Sequence, residues 1–241
     1  MKLKRLTKNE VLPKVIECAN LYKSNLLNKN MLIICYDNKN KKYSYMETAF
    51  LDKHFVHLTG IKIRPSKGAT TYNPNVKSEK NFFHNCINHR TQISDFELPT
   101  DGTVELKMQV LSKVINFINS NNMMGSFGHR QNHLITEKLV GNIYGCMGFV
   151  KDTTIDYYIP NTVLKKDIRD ITNESNSIIC IFERNISENC YGALCYLKAQ
   201  KSKKVKDKKT GLKTIIQPIN HYKYIRELDF VINKVSSDLL N

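Results

Sequence analysis

The stretch "KHFVHLTGIKIRP", Lys53 to Pro65, gathers two histidines, a threonine and a tail of cations at the end of an apolar run. Read as a strand, its alternation sends Phe55, His57 and Thr59 to one face and His54, Val56 and Leu58 to the other. His57 then shares a face with Thr59, just before Gly60 permits a sharp turn, and Lys62 and Arg64 follow where they can hold a phosphate. A histidine of ordinary pKa serves as general acid or base near neutrality. A hydroxyl and a cation beside it can stabilise a pentacoordinate phosphorane. These groups suffice to cleave RNA through its own 2′-OH without a metal. The plain alternative is a half-buried strand histidine hydrogen-bonded to a neighbour, and one His–Thr pair does not separate the two.

Two further stretches add to the pattern. "TEKLVGN" places Thr136 and Lys138 on one face of a predicted strand, ahead of the turn Gly141-Asn142. "DYYIPN" joins Tyr157 and Tyr158 to a helix predicted to start at Asn161, where backbone N–H groups favour an anion. The tyrosines offer a stacking surface of the kind single-stranded RNA uses. Packing at the rim of a sheet, with Asn161 as an ordinary cap, accounts for them equally well.

Other chemistries fit poorly. On a strand the rings of His54 and His57 point to opposite faces, and His84 with His89 or His129 with His133 lack a third ligand at fixed spacing. There is no H-E-x-x-H and no C-x-x-C, so neither a metal nor another cofactor is expected. "GNIYGCMGF" lacks the G-K-[ST] of a phosphate loop, and Cys146 is better explained as a buried strand cysteine than as a nucleophile.

These residues need a scaffold, and the chain is long enough to provide one. It has 241 residues, 41% of them hydrophobic, and no apolar run approaches the ~20 residues of a membrane span. The basic N-terminus has no apolar segment behind it, so no secretory signal and no membrane partner are expected, and seven unpaired-looking cysteines suit a cytoplasmic protein. The net charge of +15 favours polyanions, nucleic acid first. Lys198 to Lys213 holds eight lysines against Asp207 alone, although a Lys- and Asn-rich coding bias would also raise the charge.

Periodicity predicts a helix from Thr7 to about Leu27, strands over Met31–Asp37 and Tyr43–Phe50, and Lys53–Pro65 as a third strand. A short helix covers "SEKNFFHNCIN", and a longer one runs from Val104 to Asn119 with Leu106, Val110, Val114 and Phe117 inward. Strands follow in "HLITEKL", "IYGCMGFV" and "DYYIP", which Pro160 ends, and then a helix capped by Asn161. "SIICIFER", "CYGALCYLKA" and "LKTIIQPI" are the late strands, the last two flanking the lysine-rich segment as a hairpin tip, and a helix from about Tyr222 to Leu240 closes the chain. Strand and helix runs without β-α-β alternation predict an α+β fold with an antiparallel sheet. Residues 1–186 form its main domain, and the basic hairpin and last helix, 187–241, pack on the same domain.

The ordered motifs "FVHLTGIK", "DFEL" with "DGTVELKMQVL", "TEKLVGNIYGCMGF" and "DYYIPNTVLKKDIR" resemble the phage-type Barnase–EndoU–colicin–RelE-like nuclease domains, the fourth such phage group, over about Tyr43 to Ile186. The resemblance implies helices packed on an antiparallel sheet and a metal-independent endoribonuclease of phage or mobile-element toxin type, with transfer RNA among the substrates and a protein inhibitor or a phage or host protein as partner. Carried over by motif, it implies functional roles for His57 and Thr59 in "HLTG", Lys138 in "TEKL", Asn142 just after it, and Tyr158 with Asn161 in "YYIPN". His57 is the expected acid or base with Thr59 orienting it, Lys138 the charge stabiliser and Tyr158 the stacking or donating group. Lys62, Arg64, Thr136, Asn142 and Asn161 are expected to contact substrate, and Lys203, Lys204 and Lys206 to add sequence-independent affinity. A non-catalytic nucleic-acid-binding or interaction protein on the same scaffold, and a transferase acting on another nucleotide substrate, remain as alternatives.

Overall fold

Thr7 fixes the first helix. Its hydroxyl accepts from the Glu10 N–H while the Glu10 carboxylate accepts from the Thr7 N–H, a capping box that starts α1 at Lys8 and carries it to Asn25. Val11, Val15, Cys18, Ala19 and Tyr22 form its buried face. The computed structural model describes residues 4–63, 79–119, 121–128, 135–199, 203–206, 213–216 and 220–240.

After α1 comes the expected hairpin of β1 (Lys29–Asp37) and β2 (Lys42–Phe50). β1 is buried on both faces. Met31, Ile33 and Cys35 join a cluster with α1, and Leu32, Ile34 and Tyr36 join another with the C-terminal helices. The remaining large strands are β5 (Met123–Phe127), β6 (Lys138–Gly141), β7 (Cys146–Asp152), β8 (Tyr157–Leu164), β9 (Thr172–Asn185) and β10 (Ala193–Leu197); the two-residue strands β3 (Lys62–Ile63) and β4 (Phe96–Glu97) pair with each other. Antiparallel pairing runs β1-β9-β5-β6-β7-β8, and a single parallel pairing of Thr48 with Tyr158 brings β8 back to β2. The sheet therefore closes on itself, and β10 adds to β9 from outside. The fold is α+β, as the periodicity predicts.

Most of the predicted third strand is helical, and of its described residues only Lys62–Ile63 form a strand. Asp52–His54 is a 3-10 turn and Phe55–Thr59 is a helix, α2, which ends at Gly60 in the left-handed region with φ 77°. Phe55, Val56, Leu58 and Thr59 are all buried, a pattern that suits a helical face better than strict alternation. Under a helical period His57 and Thr59 separate, and the expected shared face is lost. The φ at Gly60 favours glycine, and an added Cβ would meet Lys107 Cδ at 3.0 Å.

Four other expectations are corrected. The predicted helix over 104–119 divides into α4 (Thr103–Met108) and α5 (Leu111–Ile115), with Leu106 exposed and Glu105 and Lys107 buried instead. The charges are held by tertiary partners: Glu105 accepts from the Leu6 N–H, and the Lys107 ammonium donates to the His57 carbonyl at 2.8 Å. β8 runs through Pro160, because a bulge opposite Gly148 and Phe149 removes the need for its missing N–H. Asn161 is thus a strand residue, and the cap of the short helix α6 (Ile168–Ile171) is Asp167. Within the lysine-rich segment, β11 (Lys203–Lys206) pairs with β12 (Lys213–Ile216), so that segment supplies a strand, and the predicted tip lies outside the described residues. The predicted last helix is three short ones, α7 (His221–Ile225), α8 (Asp229–Ile232) and α9 (Ser237–Leu240).

This C-terminal part sits on the sheet. Ile225, Val231, Val235 and Tyr191 pack on Leu32, Ile34 and Phe182, and Glu47 accepts from both Tyr191 Oη at 3.0 Å and Lys234 Nζ at 2.6 Å. On the other face of β1, α1 and α3 (Glu79–Ile87) bury Tyr22 and Phe83 against Phe55 and Phe50. That packing fixes α2 and α3 side by side.

Candidate active site

α2 and α3 each carry a histidine, and each histidine meets a carboxylate supplied by the neighbouring segment. His84 Nε2, on α3, lies 3.1 Å from Asp52 Oδ2 in the turn before α2. A carboxylate only accepts, so His84 donates through Nε2–H and Nδ1 is left to take a proton. His57 Nε2, on α2, lies 3.3 Å from Glu79 Oε1 at the start of α3. The two side chains are 53% and 43% exposed, so both rings can meet a substrate. Lys80 adds a cation, its Nζ 3.7 Å from Asp52 Oδ2.

The backbone under His57 is braced. Lys107 is pushed down to about 8 by burial, with Asp101 pulling the other way, and its ammonium holds the His57 carbonyl. His54, by contrast, is background to this surface. It is buried, its Nδ1 accepts from the Leu51 N–H at 3.1 Å, and burial with the nearby charges of Lys53 and His57 lowers it to about 4.

The other expected site residues do not join His57 through any contact among the described residues. Thr59 is fully buried: its hydroxyl donates to the Val56 carbonyl at 2.7 Å and accepts from the Ile61 N–H at 3.2 Å. It closes α2 rather than orienting the imidazole. Lys138 donates to Ser126 Oγ at 2.8 Å on β5. It lines a polar cleft with Ser44, Glu174 and Asn176. Tyr158 is half-buried beneath Lys151, whose ammonium is 5.2 Å from its ring centroid, and burial raises its hydroxyl above the ordinary value. Tyr157 is only partly exposed, with Arg184 5.9 Å from its centroid and bonding its hydroxyl at 2.6 Å.

Thr136 and Asn161 do meet. They bond at 3.3 Å, and the Asn161 amide also donates to the Ile135 carbonyl. The chain ahead of β6 crosses β7 at Gly148 to get there, where an added Cβ would sit 2.9 Å from Thr136 Cγ2. Asn142 builds the β6–β7 turn, and Lys62 is exposed on β3. Arg64 and the side chains of Lys203, Lys204 and Lys206 lie outside the described residues.

His84 is the residue that the sequence reading missed. Its spacing to His89 attracted a metal test, while its actual partner, Asp52, is brought in by the packing of α3 on the turn. Among the described residues no group of three or more His, Cys, Asp or Glu is placed to hold a metal ion, and no helix is long and apolar enough to cross a membrane.

A family model described as "phage-Barnase-EndoU-ColicinE5/D-RelE like nuclease4" matches residues 14–200. The match extends the resemblance at both ends, taking in most of α1 as well as β1 and β10. No curated protein and no solved structure matches the chain significantly.

Proposed function

The chain belongs to this family of phage-type nucleases, and from that premise we propose that it is an endoribonuclease in which His57 and His84 act as the acid–base pair. The observation that carries the reading is the pairing of two accessible histidines with separate carboxylates on adjoining α2 and α3. His84, with Nε2–H engaged by Asp52, takes the 2′-OH proton through Nδ1. The 2′ oxygen attacks phosphorus, the P–O5′ bond breaks, and the imidazolium of His57, beside Glu79 Oε1 at 3.3 Å, gives its proton to the leaving 5′ oxygen. The products are a 2′,3′-cyclic phosphate and a 5′-OH. Lys80 supplies positive charge beside the reacting phosphate. No step in this scheme calls for a metal ion.

The test is direct. Purified full-length protein is incubated with total RNA, and separately with transfer RNA, in the presence of chelator, and product ends are identified. Cyclic phosphate ends that appear with wild-type protein and fade with His57→Gln support the reading. RNA that is bound but left uncut overturns it in favour of a binding protein, and a modified, uncut acceptor indicates a transferase.

A further inference from the structure

Asn142 makes the link between β6 and β7 rigid. Its N–H donates to the Gly145 carbonyl at 3.0 Å, and its side-chain oxygen accepts from the Tyr144 N–H at 2.9 Å. Its amide donates to Asn122 Oδ1 at 3.1 Å, and its carbonyl accepts from the Ile168 N–H of α6 at 3.2 Å. Each polar group of this residue makes at least one bond that holds the turn, which leaves open what the turn is for.

The turn displays Tyr144 and Ile143. Tyr144 is 65% exposed and Ile143 46%, although the backbone beneath them is packed against Val110 of the α4–α5 junction and Phe117. A fixed turn that presents a largely bare aromatic ring has little conformational entropy to lose on binding. Cations stand near the ring, and the nearby Asp167 carboxylate is engaged by Arg169 at 2.6 Å. Lys113 Nζ stands 5.7 Å from the Tyr144 ring centroid, and the exposed Lys165 reaches Gln109, the neighbour of Val110. The residues lining the small cavity under the turn include Lys113 and no carboxylate. An aromatic face among cations suits a nucleobase flanked by phosphates better than it suits an apolar protein surface.

We propose that Tyr144 is a base-stacking platform for single-stranded RNA, with Lys113 and Lys165 meeting the flanking phosphates. The inference takes its substrate class from the RNA reading above, but its test does not depend on cleavage. The chain contains no tryptophan, so Tyr144→Trp places a single reporter on the turn. In a His57→Gln background, which prevents cutting, this full-length variant is titrated with a short single-stranded RNA oligonucleotide of mixed sequence and with the same sequence as a duplex.

Stacking quenches the tryptophan with the single strand and has little effect with the duplex, whose bases are already stacked. Tyr144→Ala weakens single-strand affinity about 5- to 100-fold and leaves duplex affinity within about twofold. The proposal is overturned by saturated binding without quenching, or by a Tyr144→Ala variant that binds as tightly as its parent, which would assign the turn to protein contact. Equal losses on both RNA forms also overturn it, because they report a general effect on charge or fold. Cleavage by the wild-type protein in the separate product assay, with no quenching in this titration, removes the platform and spares the nuclease reading, whereas quenching here with no cleavage by the wild-type protein does the reverse.

Discussion

His57 and His84 are each paired with a carboxylate from the neighbouring segment. Asp52 accepts a hydrogen bond from His84 Nε2–H and so selects its tautomer, and Glu79 Oε1 stands 3.3 Å from His57 Nε2. Under the proposed mechanism, substituting either histidine with Gln removes a proton-transfer step, so kcat should fall about 10²- to 10⁴-fold, with the double variant no worse than the more damaging single one. A cleavage assay in chelator with wild-type-like thermal unfolding as control checks this, and an unchanged kcat in His84→Gln would exclude that residue. His54 makes a different prediction. Its folded value of about 4 lies below the ordinary 6.5, so between these values the unfolded chain binds the extra proton. Stability is therefore complete above pH 6.5 and declines as pH falls toward 4, with a loss of about 2 kcal/mol from this group between pH 7 and pH 5. His54→Asn keeps an acceptor for the Leu51 N–H and should flatten that part of the profile in urea unfolding. Of these residues, His57 was legible as a chemical group next to a turn. The role of His84 was not, because Asp52 is distant from it in sequence.

At the scale of elements, the errors have a common cause. "FVHLTG" satisfies alternation on paper, yet Phe55, Val56, Leu58 and Thr59 all find burial when the run is helical and packs on α1, α3 and β8. Short apolar runs fit both periods, and only the partner surfaces choose between them. Pro160 reads as a strand end until the bulge across from it is known, and Glu105 and Lys107 read as solvent-facing until Leu6 and the His57 carbonyl come into view. α1 shows the opposite case: its span and buried face were legible, while its start was open between the capping box of Thr7 with Glu10 and a first turn at Pro13, which the structure decides for Thr7. Gly60 links α2 to α4 through a left-handed φ and a tight approach to Lys107. Gly60→Ala should cost about 1–2 kcal/mol in chemical denaturation, from the strained φ and the displaced lysine. Activity should fall with it at temperatures where the fold survives, because Lys107 braces the backbone of His57. A variant as stable as the parent would show that neither constraint matters.

For the molecule as a whole, closure of the sheet by one parallel pairing of Thr48 with Tyr158 puts α1, α2 and α3 against one part of β1 and β2 and the C-terminal helices against the other face of β1. The histidine surface and the Tyr144 turn are consequently built on different elements of one framework. Net charge acts at this scale too. If the proposed RNA reading holds, the +15 balance makes affinity fall steeply with salt. Replacing Lys203, Lys204 and Lys206 together with Gln should reduce the slope of log K against log salt by about 2 for a single-stranded RNA, without changing sequence preference. An unchanged slope would take the basic hairpin out of the interface. The sequence by itself determined the α+β class, the β1–β2 hairpin, the first helix, the net positive charge and the nuclease family. All of these depend on local pattern or on motifs in linear order. Tertiary structure decided which groups share a surface. Thr59, Lys138 and Tyr158 looked like neighbours of His57 because their motifs occur in sequence, but each makes its contacts elsewhere. His84 and Asp52 meet because burying Phe83 beside Tyr22 and Phe55 turns α3 so that its polar side faces the turn before α2. Distance along a chain sets no distance in space, and here the packing of the aromatic core chose the pair.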